Sequence, residues 1–223
     1  MCPIFWYDLS DMNISWYGGR CIRIESKEGS ILIDPFDPKE VGLRGPNIKD
    51  DLVLISEYAP TKGVLERIND DAFVIRGPGE YERKGIAVKG FVAYADSQKG
   101  KELGLCTIYM IVAEDMTICH LGALGQESLT AEQLEAIGDP DILFIPAGGQ
   151  SALHPKEAAA LAMQIEPKII VPIMYAVPGA SYAAEKLDKF THEMGLTVEK
   201  MDKLRIAKKA LPVDQTQLIV LEV

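Results

Sequence analysis

The sequence predicts an α/β (α+β) fold in which two β-sheets pack face to face with helices outside them. Three observations carry that expectation. Short β-patterned segments fill the first 120 residues, helix and strand patterns alternate after Gly125, and 48% of the 223 residues are hydrophobic, enough for a sizeable core. No internal repeat or low-complexity linker divides the chain, so residues 1–223 are expected to form one domain.

The expected strands lie in NISWY, RCIRIES, SILIDPF, DLVLIS, AFVIRG, IAVKGFVAYAD, CTIYMIVAED and MTICHLG, with turn residues at GG, KEG, GPG and AED between them. LTAEQLEAIG reads as a helix capped by Thr130, with Gln133 three residues on, and DILFIP as the buried strand after it. HPKEAAALAMQIE starts at Pro155 and carries Ala158, Leu161, Ala162 and Ile165 on one stripe. KIIVPI is the next strand, SYAAEKLDKFTHEMG a third helix stopped by Gly195, and TQLIVLEV a last strand. The segment GPGEYE reads as a tight turn that uses glycine's freedom in φ.

Thirty-three acidic residues against 23 basic give a formal charge of −10, spread along the chain. A nucleic-acid backbone needs clustered Lys and Arg, so no nucleic-acid partner is expected. The longest apolar runs, such as IIVPIMYAV, fall short of the ~20 residues that span a bilayer, so no membrane partner is expected either. Cys2, Cys21, Cys106 and Cys119 form no CxxC pair, and MCPIFWYDLSD lacks the basic start and long apolar run of a secretory signal. These features predict a reduced, cytoplasmic protein, with Cys21 and Cys119 as small core residues.

Reactive side chains tend to sit on loops that leave strand ends. The polar residues that follow apolar runs are Asp34, Ser56 to Lys62, Glu80, His120 and Tyr175. Singly, each has a plain structural reading. Asp34 in IDPF suits a loop brace that accepts backbone hydrogen bonds, Glu80 suits solvent, and His120 suits a hydrogen-bonded core position. Cys119 and His120 are neighbours on a strand and face opposite ways, so they form no dyad. There is no GxSxG, P-loop or GxGxxG, and His120, His154 and His192 make no HxH or HExxH pair.

Taken in order, WYGGRCIRIE, ILIDPF, LVLISEYAPTKG, GPGEYERKGIAVKG, ICHLGALGQ, DILFIPAGG and IEPKIIVPIMY resemble the metallo-β-lactamase-fold family of metal-dependent hydrolases, in the branch near the small bacterial β-lactamase-like proteins. The resemblance runs from Trp16 to Tyr175. It implies a four-layer αββα sandwich with a two-metal site on loops at one edge that activates water for hydrolysis. Against the family's HxHxDH, this chain has Glu57 and Ala59 at the first two histidines, Thr61 at the aspartate and Lys62 at the third histidine. HxGD becomes His120, Leu121, Gly122, Ala123; PMHY becomes Pro172, Ile173, Met174, Tyr175; and GH becomes Gly18, Gly19.

A lysine at a ligand position opposes metal binding, since two unit charges ~4 Å apart at an effective dielectric of ~20 interact by about 4 kcal/mol, doubled for a dication. The resulting expectation is a relative without a metal cofactor and without the parent hydrolysis, binding a small molecule or a protein or building a homo-oligomer. In it, Lys62 pairs with Glu57 to fill the emptied pocket, or holds an anionic ligand. The alternative is a hydrolase of unknown substrate, with zinc or another divalent metal on an unorthodox set from Asp34, Glu57, Glu80 and His120, or with no metal. Candidate catalytic residues are Glu57, Lys62 and His120, and candidate pocket residues are Asp34, Glu57, Thr61, Lys62, Glu80, His120 and Tyr175.

Overall fold

The computed structural model describes residues 11–58, 62–149 and 153–223, and the side chain of Lys62 falls outside that description. In chain order the first elements are β1 (Met12–Trp16), β2 (Ile22–Glu25), β3 (Ser30–Ile33), the short helix α1 (Pro38–Val41), β4 (Leu52–Ile55), the short helix α2 (Lys62–Leu65) and β5 (Phe73–Arg76). An antiparallel run of β6 (Gly79–Arg83), β7 (Ile86–Tyr94), β8 (Leu105–Ala113) and β9 (Met116–His120) follows. Then come α3 (Ala131–Ile137), β10 (Ile142–Pro146), α4 (Pro155–Ile165), β11 (Ile169–Ile173), α5 (Leu187–Met194), β12 (Val198–Met201), β13 (Leu204–Ile206) and β14 (Gln217–Leu221).

Two sheets result, in the orders β13-β1-β2-β3-β4-β5 and β12-β14-β11-β10-β9-β8-β7-β6. Side-chain alternation along each strand builds the layers. Ile31, Ile33, Leu52 and Leu54 of the first sheet meet Ile118, Ile142 and Phe144 of the second in the central core. The alternate residues of these strands point the other way: Leu32, Val53 and Ile55 enter a smaller cluster with Phe36 and Leu43, while Cys119, Leu143 and Ile145 lie against Ala158, Leu161 and Phe190 from α4 and α5. β10 and β11 are parallel and buried on both faces, which is why DILFIP and KIIVPI are continuous apolar runs.

Local chemistry sets the helix ends. Thr130 and Gln133 form a reciprocal capping box at α3, Pro155 is the first residue of α4, and Gly195 at φ 63° ends α5. The third helix is shorter than the sequence pattern predicts, because the backbone before it is engaged elsewhere: Glu185 N donates to Gly148 O at 2.6 Å and Glu185 O accepts from Ala176 N at 2.9 Å. GPGEYE is more than a turn. Its second half is strand β6, paired to β7 across Lys84 and Gly85, both at positive φ as a two-residue hairpin turn requires. β12 and β13 are additional short strands, and Cys21, Cys106 and Cys119 are buried free thiols.

Gly122, just beyond β9, brings the two sheets into close contact. It sits at φ 61°, and a Cβ there would lie 2.5 Å from Ser56 Cβ and 2.9 Å from Thr107 O. Thr107 N also donates to Ser56 O at 2.8 Å, so the ends of β4, β8 and β9 are joined at this edge. Gly122→Ala is therefore expected to lower the urea midpoint by the equivalent of roughly 2–4 kcal/mol with little change in m, which equilibrium unfolding would read.

The opposite end of the strands is fixed by Asp141, whose side chain is only 2% exposed. It accepts from Lys168 Nζ and Lys208 Nζ, both at 2.7 Å, and from Thr117 N at 2.8 Å. Burial alone would raise this carboxyl, but the two lysine hydrogen bonds and the Thr117 amide outweigh it and bring the pKa down to about 2. A depressed carboxylate stabilises the fold above its unfolded value near 4, and that stability is lost as pH falls toward 2. Asp141→Asn is expected to remove about 1–2 kcal/mol at neutral pH, discounted for the solvent-exposed lysine heads, and to flatten the stability profile between about pH 4 and 2 in thermal melts.

Candidate functional site

The C-terminal ends of β3, β4, β9 and β11, with the turn between β1 and β2, converge on one edge of the sandwich. Asp34 follows β3 at φ 45°, a left-handed conformation that an aspartate tolerates better than most residues. Its Oδ1 accepts from Ser56 N at 2.7 Å and its Oδ2 from Ser56 Oγ at 2.5 Å, so it braces the end of β4 as the sequence suggests. The Asp34 side chain is 6% exposed, and burial pushes its carboxyl up; Arg20 and the Ser56 hydrogen bonds pull it back only in part.

Arg20 is the central residue of this edge. Its Nε lies 3.5 Å from Asp34 Oδ2, its Nη2 is ion-paired with Glu57 Oε1, and its Nη1 lies 4.0 Å from the Met174 thioether. The turn that delivers it runs through Gly18 at φ 95° and Gly19 at φ 56°. Tyr182 holds that turn by accepting from Gly19 N at 3.1 Å while donating to Tyr175 O at 3.1 Å. Met174, at φ 56°, completes the contact by donating its own N–H to Gly19 O at 2.8 Å.

His120 is fully buried, with both ring nitrogens committed. Gly122 N donates to Nδ1 at 3.0 Å, which leaves the proton on Nε2 to be donated to Arg20 O at 3.0 Å. Burial, assisted by the Arg20 charge, lowers its pKa to about 3 against the raising effect of the Arg20 carbonyl, so the imidazole is neutral. The hydrogen-bonded core histidine expected from the sequence is what the structure contains.

A cavity of about 230 Å³ opens beside these groups, and Arg20, Asp34, Asp37, Glu40 and Glu57 face it along with apolar walls that include Phe36. Of the sequence candidates, Asp34 and Glu57 line it. His120 is at the same edge but sealed beneath Arg20. Thr61 and the Lys62 side chain lie outside the described residues. Glu57 has Arg20 as its ion-pair partner, and the expected Lys62–Glu57 pair falls outside the described residues. Glu80 does not join the site: it is on edge strand β6, its side chain is 77% exposed and it pairs with Lys89 at 3.0 Å. Tyr175 does not join either, because its ring packs 4.7 Å from that of Trp16 inside the sandwich and its hydroxyl donates to Leu221 O at 3.2 Å.

Sequence reasoning missed Arg20, Asp37, Glu40 and Tyr182. The signal for Arg20 was its place directly after the Gly18–Gly19 pair that aligns with the family's GH.

The donors among the described residues do not fit a two-metal centre. Asp34 is occupied by Ser56 and Arg20, Glu57 by Arg20, and both nitrogens of His120 by backbone groups, while Met174 offers a soft thioether and Ala123 a methyl. Among the described residues no group of three or more His, Cys, Asp or Glu side chains is placed to hold a metal ion. Also among them, no helix is long and apolar enough to cross a membrane.

Comparison with known proteins agrees with the architecture. A UPF0173 metal-dependent hydrolase of Methanopyrus kandleri is 25% identical over 221 residues, covering 84% of this chain and 95% of the relative. A UPF0173 protein of Pyrococcus abyssi is 29% identical over 195 residues, covering 77% and 87%. The crystal structure of a Thermotoga maritima protein assigned to the zinc-dependent hydrolases of the metallo-beta-lactamase superfamily superposes with a TM-score of 0.77 at 28% identity, covering 94% of this chain and 98% of that one. The family model described as the beta-lactamase superfamily domain matches residues 13–174, and the chain, with its two mixed sheets and flanking helices, belongs to that superfamily.

Proposed function

We propose that this chain is a small-molecule-binding member of the superfamily whose cleft works without a two-metal centre. The observation that carries the reading is the Arg20 guanidinium lodged between Asp34 and Glu57, with His120 locked beneath its carbonyl. A fixed monocation cannot ionise a water or polarise two oxygens as a pair of dications does. The neutral His120, hydrogen-bonded on both sides, is no acceptor for a substrate proton.

The cavity walls refine the expected ligand. Four carboxylates, from Asp34, Asp37, Glu40 and Glu57, face one described guanidinium, and Arg20 compensates only Asp34 and Glu57. Among the described side chains that balance favours a neutral or cationic ligand over the anionic one expected from the sequence. It also argues against a nucleic-acid backbone, in line with the −10 formal charge.

A second reading is metal-dependent hydrolysis. It is supported by the naming of the M. kandleri relative as a metal-dependent hydrolase and of the T. maritima structure as zinc-dependent. Elemental analysis of the purified full chain, with assays on ester, phosphodiester and lactam substrates before and after chelation, separates the two. The first reading expects metal well below one equivalent and no chelator-sensitive turnover. Stoichiometric zinc, iron or manganese together with chelator-sensitive hydrolysis would establish the second.

A further inference from the structure

We infer that Arg20 is the built-in cation of this edge, tethered where the superfamily's metal ions would supply positive charge, and that its side chain keeps small cations out. The inference rests on the metal-independent reading above and adds a specific consequence: once the guanidinium is removed, the space between Asp34 and Glu57 becomes a binding site for a free cation.

Three features point to charge rather than to a matched hydrogen-bond fork as what Arg20 supplies. Its Nε is shielded from solvent without a hydrogen-bond partner, and the 3.5 Å approach to Asp34 Oδ2 is too long for a good one. Its Nη1 has a thioether at 4.0 Å for company. Yet the group it faces, Asp34, is a carboxylate removed from water and held in place by Ser56, and such a carboxylate needs a nearby positive charge wherever that charge comes from. The position also touches several strand ends at once: Asp34 after β3, Glu57 after β4 and Met174 after β11 by side chain, and His120 at the end of β9 through the Arg20 carbonyl. A methylguanidinium ion fits within the vacated volume, and Mg²⁺ or Mn²⁺ matches the two carboxylates with water completing an oxygen shell.

The test uses the full-length chain carrying Arg20→Ala, melted in potassium chloride and then in equal-ionic-strength methylguanidinium, magnesium or manganese chloride at tens of millimolar. In potassium the variant is expected to melt about 10 °C below the unmodified protein, the size of shift that leaving one buried charge unpaired produces in a domain of this length. Methylguanidinium or one of the divalent ions is expected to recover a substantial part of that loss while leaving the unmodified protein's melting point unchanged, and the arm that succeeds identifies the class of cation.

A second pair keeps the test open if R20A does not fold. Arg20→Met combined with Asp34→Asn is expected to melt above Arg20→Met alone, because the carboxylate that needed a cation is gone. The inference is overturned if no cation raises R20A beyond its effect on the unmodified chain and D34N further destabilises R20M. In that case an unmodified protein free of metal leaves the proposed function standing, whereas stoichiometric metal in the unmodified protein sinks that reading by itself.

Discussion

A carboxylate held out of water at the end of β3 is the constraint around which this edge of the sandwich is arranged. Asp34 bonds Ser56 twice, through the backbone amide and the hydroxyl, and so joins the ends of two neighbouring parallel strands. Desolvation raises its carboxyl, and the nearby guanidinium offsets only part of that rise. The pair is therefore weak evidence for stability as such, in keeping with buried ion pairs that roughly break even against apolar packing. What it fixes is geometry: a charge is needed at one place, and Arg20 occupies it.

The remaining contacts follow from bringing that arginine in. The β1–β2 turn needs positive φ at both Gly18 and Gly19 to deliver it, and Tyr182 and Met174 hold the turn down. The Arg20 carbonyl then faces the interior, where His120 Nε2 reaches it. A neutral imidazole is the form that fits, because a second cation beneath the guanidinium would be both desolvated and repelled. Gly122 supplies the opposite hydrogen bond and the close approach to Ser56. Charge, tautomer and backbone conformation at this edge thus depend on one another.

Much of the fold was legible in the sequence, because period-two alternation and continuous apolar runs are local signals that burial enforces. The Thr130 capping box, the Pro155 start and the Gly195 stop were equally local. The failures were not. β12 and β13 are short strands with charged, exposed faces, VEKM and LRI, which pair only because β14 and β1 are there to receive them. The start of α5 depends on Glu185 bonding to Gly148, a contact between segments remote in sequence. At the site, motif alignment put Asp34, Glu57 and His120 at one edge together with Glu80 and Tyr175, of which the structure brings together the first three; it weighed the cation within the same motif, Lys62, and overlooked the one arriving from the first turn. Arg20, Asp34 and Glu57 come from three separate segments, so no spacing rule reveals their meeting.

The two ends of the strands show why the electrostatic strain is located where it is. Asp141 and Asp34 are both buried aspartates braced by a neighbouring strand's backbone amide and by cations. Asp141, just before β10, has two lysines bonded at 2.7 Å with their heads in solvent, and its carboxyl falls to about 2. Asp34, just after β3, has one arginine at 3.5 Å with little access to water, and its carboxyl rises. The same residue type thus has its charged form favoured at the N-terminal ends of the strands and disfavoured at the C-terminal ends. A disfavoured charge beside the cavity, in a fold whose other end satisfies its buried aspartate with two bonded lysines, is the pattern expected where a site and not stability alone sets the side chains.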